Sequence, residues 1–319
     1  MKKTILISLL TVLCFAVTAQ NKYNVYVAKY QGDREAAISY TFDDGLSEHY
    51  TIVFPEFEKR GLKGTFWING SKVNEDPQDI RDTTRVTWLQ LKEMSDYGHE
   101  ISNHGWAHRN FGRHTEEEIR EDIAKNDSAI FVNIGIMPRT FCYPNNTRPR
   151  EKMYLASEGR VGTRTEQRSI GSKPTLAELD KWVEELIKNN GWGVGMTHGI
   201  TYGYDAFRDQ QIFWDHLDKV VKQQDQVWVD TFHDIAAYTE EQKNIRLEIL
   251  EKKNTINILP VMTLDAELFN VPLTMVIEKN GFRTATVKQG KNKIPVSDSR
   301  DKILFDFDPN GGMIQVKIK

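Results

Sequence analysis

The chain has 319 residues, of which 39% are hydrophobic and 27% charged, with a formal net charge of −3. That composition supports a packed core and excludes wholesale disorder; the slightly acidic balance excludes a nucleic-acid binder, which needs a basic face to neutralise phosphates. The length suits one large domain with a smaller one beside it.

The chain opens on a targeting pattern. Lys2 and Lys3 precede an apolar run over 5–17, short for a bilayer span, and Val17, Thr18 and Ala19 form a small-residue cleavage site. Residues 1–19 are therefore expected to be a signal peptide, cut after Ala19. The product would be exported, periplasmic or secreted, with no membrane span left. Cys14 sits inside the run, but residues 11–13 lack the small side chains of a lipidation site, so a lipid anchor is disfavoured. Cleavage leaves Cys142 as the remaining thiol, which excludes an internal disulfide. The sequence does not separate monomer from oligomer.

Between 20 and 240, short apolar runs alternate with helix-like charged stretches. Strands are expected at 36–41, 64–69, 99–102, 140–143, 193–197 and 227–231. Helices are expected at 47–60, closed by Gly61, at 88–97, closed by Gly98, at 115–134, at 175–191 and at 207–224. Thr115 with Glu118, and Thr175 with Glu178, have the spacing of capping boxes. This alternation predicts an α/β fold with parallel strands and helical crossovers; periodicity alone does not separate a barrel from an open sheet. From 241 to 319 the texture changes to short strands at 245–250, 255–259, 273–278, 283–287, 303–306 and 313–318, with turn signals such as Asn280-Gly281 between them. This segment reads as a small, accessory, all-β sandwich with few aromatics.

Four clusters carry chemistry. Asp43 and Asp44 follow the first strand, where the backbone can turn both carboxylates into one site, one to bind a cation and the other to act as a base. His104 and His108 are four residues apart, which on a helical turn places both rings on one face, within reach of one ion. Two imidazoles and a carboxylate make a three-ligand site with an open position, and a metal there lowers the pKa of water to roughly 7. His198 closes a strand before Gly199, where it can protonate a leaving amine. Residues 140–146 run a strand into a Pro-Asn-Asn turn whose amides can face an oxyanion.

Taken in order, TFDDG at 41–45, NHGWAH at 103–108, FCYPNN at 141–146 and MTHG at 196–199 resemble the NodB-homology polysaccharide deacetylases of carbohydrate esterase family four, over about residues 36–236. The resemblance implies a distorted (β/α) barrel of fewer than eight full units. It implies a divalent metal, most often Zn2+, with Co2+ or another divalent ion also suited to the ligands. The implied substrate is an acetylated polysaccharide or oligosaccharide, N-acetyl sugar or O-acetyl xylan. Position by position, it makes Asp43 the general base, Asp44, His104 and His108 the metal ligands, His198 the general acid, and the Asn145 N–H an oxyanion donor. Four positions, in three places, depart from the pattern. Gly105 replaces a Ser or Thr whose hydroxyl braces the histidine loop, Cys142 replaces an arginine that orients the base, and Asn145 and Asn146 replace aromatic and glycine residues. Arg164 is the candidate to supply the missing charge, and Glu166 is a guess for the acid that tunes His198. Trp67, Trp106, Tyr143, Trp192 and Tyr202 are candidate sugar-stacking aromatics. Two rival functions remain: a catalytically silent glycan-binding protein on the same fold, and an amide or imide hydrolase of a small nitrogenous substrate.

Overall fold

The computed structural model describes residues 22–75 and 80–319. The expected signal peptide, with Cys14, lies outside the described residues.

The main unit is an eight-stranded sheet. Its strands run in the order Gly162–Arg164, Thr140–Cys142, Glu100–Asn103, Thr65–Ile68, Ala36–Asp43, Trp192–Thr197 and Arg168–Ser169, with Val227–Val229 paired to the start of Ala36–Asp43. Every pairing is parallel. Ala36–Asp43 is buried along its whole length, as a central strand covered on both faces must be. The two edge strands, Gly162–Arg164 and Arg168–Ser169, are joined by residues 165–167 alone. A link that short reaches roughly 14 Å at full stretch, so the sheet must curl until its edges nearly meet. This is the distorted barrel, and it aims the Arg164 side chain into the interior.

Helices cover the outside. Thr115 and Thr175 form their capping boxes with Glu118 and Glu178, opening Glu116–Ile134 and Leu176–Lys188. Gly61 and Gly98 both adopt left-handed φ after their helices. The helix expected at 47–60 starts instead with a π-helical turn, His49–Val53, before Phe54–Arg60. That turn buries His49, whose Nε2 lies 2.6 Å from the His198 carbonyl. The helix expected at 207–224 is shorter, Gln211–Val221. Phe232–Asn244 is a further helix, which residues Phe232, Ile235 and Ala236 pack onto the sheet.

Two antiparallel sheets form the C-terminal unit. One pairs Leu273–Glu278 with Lys302–Phe307 and, on its other side, with Val25–Val27 from the start of the described chain. The other runs Arg246–Lys252, Thr255–Val261, Ile314–Ile318, Ala285–Gln289 and Asn292–Ile294. Met275, Ile277 and Phe305 of the first meet Ile256, Ile258 and Val316 of the second in one core, which continues to Trp228 and Tyr238 of the barrel unit. No helix among the described residues is long and apolar enough to cross a membrane.

Candidate active site

Asp43 is the last residue of the central strand. Asp44 follows at φ 76 and Gly45 at φ 65, and these two left-handed steps swing both carboxylates to one side. A left-handed non-glycine residue costs about 1–3 kcal/mol. Four of the seven such residues described, Asp44, His108, Asn145 and Asn146, line a single pocket of about 580 Å³ at the carboxyl ends of the strands. Strain is thus concentrated where ligands bind in parallel folds. The Asp44 turn is held by its own N–H to the Trp67 carbonyl at 2.9 Å and by Arg85 Nη1, which donates to its carbonyl at 2.7 Å.

Asp43 is engaged by a guanidinium. Arg164 donates from Nη1 to Oδ1 at 2.8 Å and from Nη2 to Oδ2 at 2.5 Å, and also to Thr41 Oγ1 at 2.8 Å. Burial raises the carboxyl's pKa, but Arg164 and then His104 overcome it and hold it down at about 2. Asp43 is therefore ionised and fixed in orientation.

The two histidines do not lie on a helical turn. Residues 104–108 form an irregular loop in which Gly105 and His108 have φ of 78 and 56, and these steps bring the rings to 4.7 Å between centroids. His104 Nδ1 lies 2.8 Å from the Cys142 carbonyl, which assigns it the proton and leaves Nε2 a bare lone pair. Nε2 of His104 and Nε2 of His108 each lie 3.7 Å from Asp44 Oδ1. That oxygen is buried without a hydrogen-bond partner among the described residues. Burial lowers the pKa of both histidines, His108 to about 4, so both are neutral near pH 7. Three lone-pair donors within 4.8 Å of one another, one of them orphaned, fit a small divalent cation. Asp43, His104 and Cys142 make a second grouping. Burial pushes its thiol far from thiolate, and Arg164 already occupies both Asp43 oxygens, so it is the poorer cation site.

His198 lines the same pocket from the strand Trp192–Thr197. Asp205, 5% exposed, places Oδ1 3.2 Å from its Nδ1 and accepts from its backbone N–H at 2.8 Å, leaving Nε2 to the cavity. Burial lowers the His198 pKa, but the hydrogen bond to Asp205 and the charge of Asp43 outweigh it, and the pKa lies above the ordinary value. Asn145, at φ 57 in the turn after Cys142, completes the lining with Tyr143 and Asn146.

Residues 31–161 match the family profile described as Polysaccharide deacetylase. Over those residues the chain is similar to the polysaccharide deacetylase family. Over 108 residues it is 30% identical to the peptidoglycan-N-acetylglucosamine deacetylase PgdA of Listeria monocytogenes, covering 34% of this chain and 21% of that protein. Over 121 residues it is 30% identical to the peptidoglycan-N-acetylmuramic acid deacetylase PdaA of Bacillus subtilis, covering 37% and 42%. The matches thus span less than half the length of these relatives. A solved Mycobacterium smegmatis protein, described as a candidate polysaccharide deacetylase, superposes with a TM-score of 0.53 at 13% identity, over 68% of this chain and 94% of that one. At that identity the likeness is one of fold.

Against the deacetylase pattern, this chain replaces missing parts from elsewhere. Cys142 offers Asp43 no guanidinium, and the one that holds it is Arg164, from the curled sheet's edge. The hydroxyl absent at Gly105 is replaced by Asp122 of the helix Glu116–Ile134: a Cβ on Gly105 would collide with Asp122 Oδ2, while Oδ1 accepts from Ala107 N–H at 2.8 Å. Asn103 Oδ1 accepts from Gly105 N–H at 2.7 Å, and Asn69 Nδ2 donates to the His104 carbonyl at 2.7 Å. The acid beside His198 is Asp205, whereas Glu166 is exposed. Asp205 carries no motif, though its position seven residues after the histidine is a local signal. Among the aromatics, Trp67 is fully buried and Trp106 packs over Gly70 beneath Lys125. Trp192 donates to Ser39 Oγ at 3.2 Å, and the Tyr202 hydroxyl donates to the Thr84 carbonyl at 2.8 Å. Tyr143 lines the pocket but is 1% exposed. Tyr204, absent from the sequence reading, is the exposed ring at the mouth.

Proposed function

We propose that this protein is a metal-dependent hydrolase that removes acetyl groups from an extracellular or cell-envelope polysaccharide. The observation that carries the reading is the convergence of His104 and His108 on the orphaned Oδ1 of Asp44, with Asp43 and His198 lining the same pocket. The names of the relatives, which concern acetylated cell-wall sugars, and the export pattern at 1–19 support the substrate class and location.

Asp44, His104 and His108 would hold the divalent ion, Zn2+ first among the ions that suit two imidazoles and a carboxylate. Once bound, that ion supplies a Lewis acid for the acetyl carbonyl and lowers the pKa of water to roughly 7. Asp43 accepts the proton of the attacking water, its oxygens kept in register by Arg164. The Asn145 turn presents a backbone donor to the oxyanion. His198, protonated at Nε2 and steadied at Nδ1 by Asp205, gives its proton to the departing nitrogen or oxygen as acetate leaves.

The test is acetate release from N-acetylglucosamine oligomers, peptidoglycan and acetylated xylan, with zinc or cobalt added and after chelation. Release that chelation abolishes and zinc restores is the expected result. Tight glycan binding with no acetate from any substrate would overturn the reading in favour of a silent binder.

A further inference from the structure

Resting on that reading, we propose that Tyr204 is a stacking platform for a pyranose ring adjoining the sugar that is deacetylated, and that it sets a preference for chains over single sugars. Tyr204 is 94% exposed, more than any other large apolar side chain described. It lines the pocket, and its ring centroid lies 6.0 Å from that of His198 at an interplanar angle of 76°. A lone exposed aromatic is unremarkable on a surface; one carried on a braced loop beside a polar cleft is not.

The loop that carries it is well braced. Glu48 accepts from the N–H groups of Ile200 at 2.7 Å and Thr201 at 2.9 Å. The Tyr202 hydroxyl is tied to Ser47 Oγ and the Thr84 carbonyl, both at 2.8 Å. Asp205, the next residue, is buried and accepts from His198 N–H. Gly199 is required because a Cβ there would collide with the Tyr202 carbonyl, so the segment doubles back on itself. Anchors on both sides fix the backbone that presents the ring, so contact with a sugar orders two side-chain torsions and little of the loop.

The chemistry of the occupant follows from the surface. A tyrosine offers a flat, electron-rich face and a polar tip, and a pyranose offers an apolar face of C–H bonds with hydroxyls at its edge. Asn145, Asn146 and Arg85 share the pocket lining and suit those hydroxyls. A protein partner would need roughly 800 Å² of contact surface on this side, and a single ring in a polar rim does not provide its apolar core.

The experiment measures binding and turnover separately. Calorimetry with the N-acetylglucosamine tetramer and with acetylated xylotetraose gives Kd for the wild type, Tyr204→Ala and Tyr204→Trp; released acetate gives kcat and KM. Tyr204→Ala should weaken binding of the tighter ligand about tenfold, near the loss of one stacking contact, and raise KM similarly with a smaller change in kcat. Tyr204→Trp should stay within about threefold of wild type, since the face is kept. Unchanged affinity in Tyr204→Ala, equal losses in both variants, a fall in kcat alone, or a wild type that binds neither tetramer would overturn the platform. Binding without acetate release would overturn the hydrolase reading and leave the platform standing.

Discussion

On one side of the pocket, the cation ligands are held through their backbone and by one uncharged ring contact: Arg85 braces the Asp44 carbonyl, Asn69, Asn103 and Asp122 brace the histidine loop, and the Cys142 carbonyl meets His104 Nδ1. On the other, Asp43 and His198 are fixed by charges, Arg164 for the first and Asp205 for the second. Cation ligands must offer bare lone pairs, and burial keeps the imidazoles unprotonated. Groups that move protons must hold a definite protonation state, and a counter-charge sets it. The two sides should therefore fail differently.

The largest difference is expected between His104→Ala and His198→Ala. The first should strip bound metal to below about a tenth of an equivalent and lower acetate release by about 10³-fold or more, since it removes Lewis-acid stabilisation worth several kcal/mol. The second should keep its metal, by elemental analysis, while turnover falls about 10²–10⁴-fold. If both lost metal, the division between the sides would be wrong. Arg164→Ala belongs with His198: metal retained, turnover down about 10²-fold, and stability down about 3–5 kcal/mol because a buried carboxylate loses its partner. Arg164→Lys should recover only part, since one ammonium cannot make the bidentate pair. Full turnover in Arg164→Ala would remove its positioning role.

Smaller effects probe the supports. Asp122→Ala should weaken metal binding about 10–100-fold by loosening the histidine loop, measured by competition with a chromogenic chelator. Asp205→Asn should leave metal affinity intact and lower kcat about tenfold. It should also move the alkaline limb of the pH–rate profile to lower pH. The sign follows from role: His198 must be protonated to donate, and Asp205 raises its pKa, so activity lost with rising pH is lost sooner without that charge. A limb that does not move would mean another group sets it.

What the sequence disclosed, and what it hid, follows the same division. The motif residues sit at strand ends flanked by apolar runs, and the capping boxes at Thr115 and Thr175 announce themselves within three residues; local spacing was enough for these. Arg164 lies on a three-residue edge strand, and its reach to Asp43 depends on the curling of the sheet, a property of the whole barrel. Asp122 reads as one more acid on an acidic helix, and only the absent side chain of Gly105 shows why it is there. In sequence the His104–His108 loop reads as a helical turn because i,i+4 spacing looks the same in both; positive φ at Gly105 and His108 makes the difference. Val25–Val27 leaves no signal in the sequence because three residues carry too little periodicity, and its partner lies some 250 positions away.

The last contrast sets Asp43 against Glu241, two buried carboxylates with opposite fates. Asp43, with a guanidinium on both oxygens, is held at about 2. Glu241, in the helix Phe232–Asn244, accepts only from Val271 N–H at 3.0 Å, has no partner for Oε2 among the described residues, and is pushed by burial up to about 7 from 4.5. A folded-state pKa above the unfolded value means that the folded protein binds the proton more tightly, so this carboxyl favours folding below about pH 4.5 and that contribution is lost as pH rises through about 7. Glu241→Gln keeps an acceptor for Val271 and removes the charge. Its stability relative to wild type should rise between pH 5 and pH 8 by about 1–2 kcal/mol, measured by denaturant unfolding, while the same pair compared at pH 4 should differ little. A difference that stays constant with pH would mean that Glu241 is compensated by a cation, as Asp43 is, and the contrast between a paired and an unpaired buried acid would dissolve.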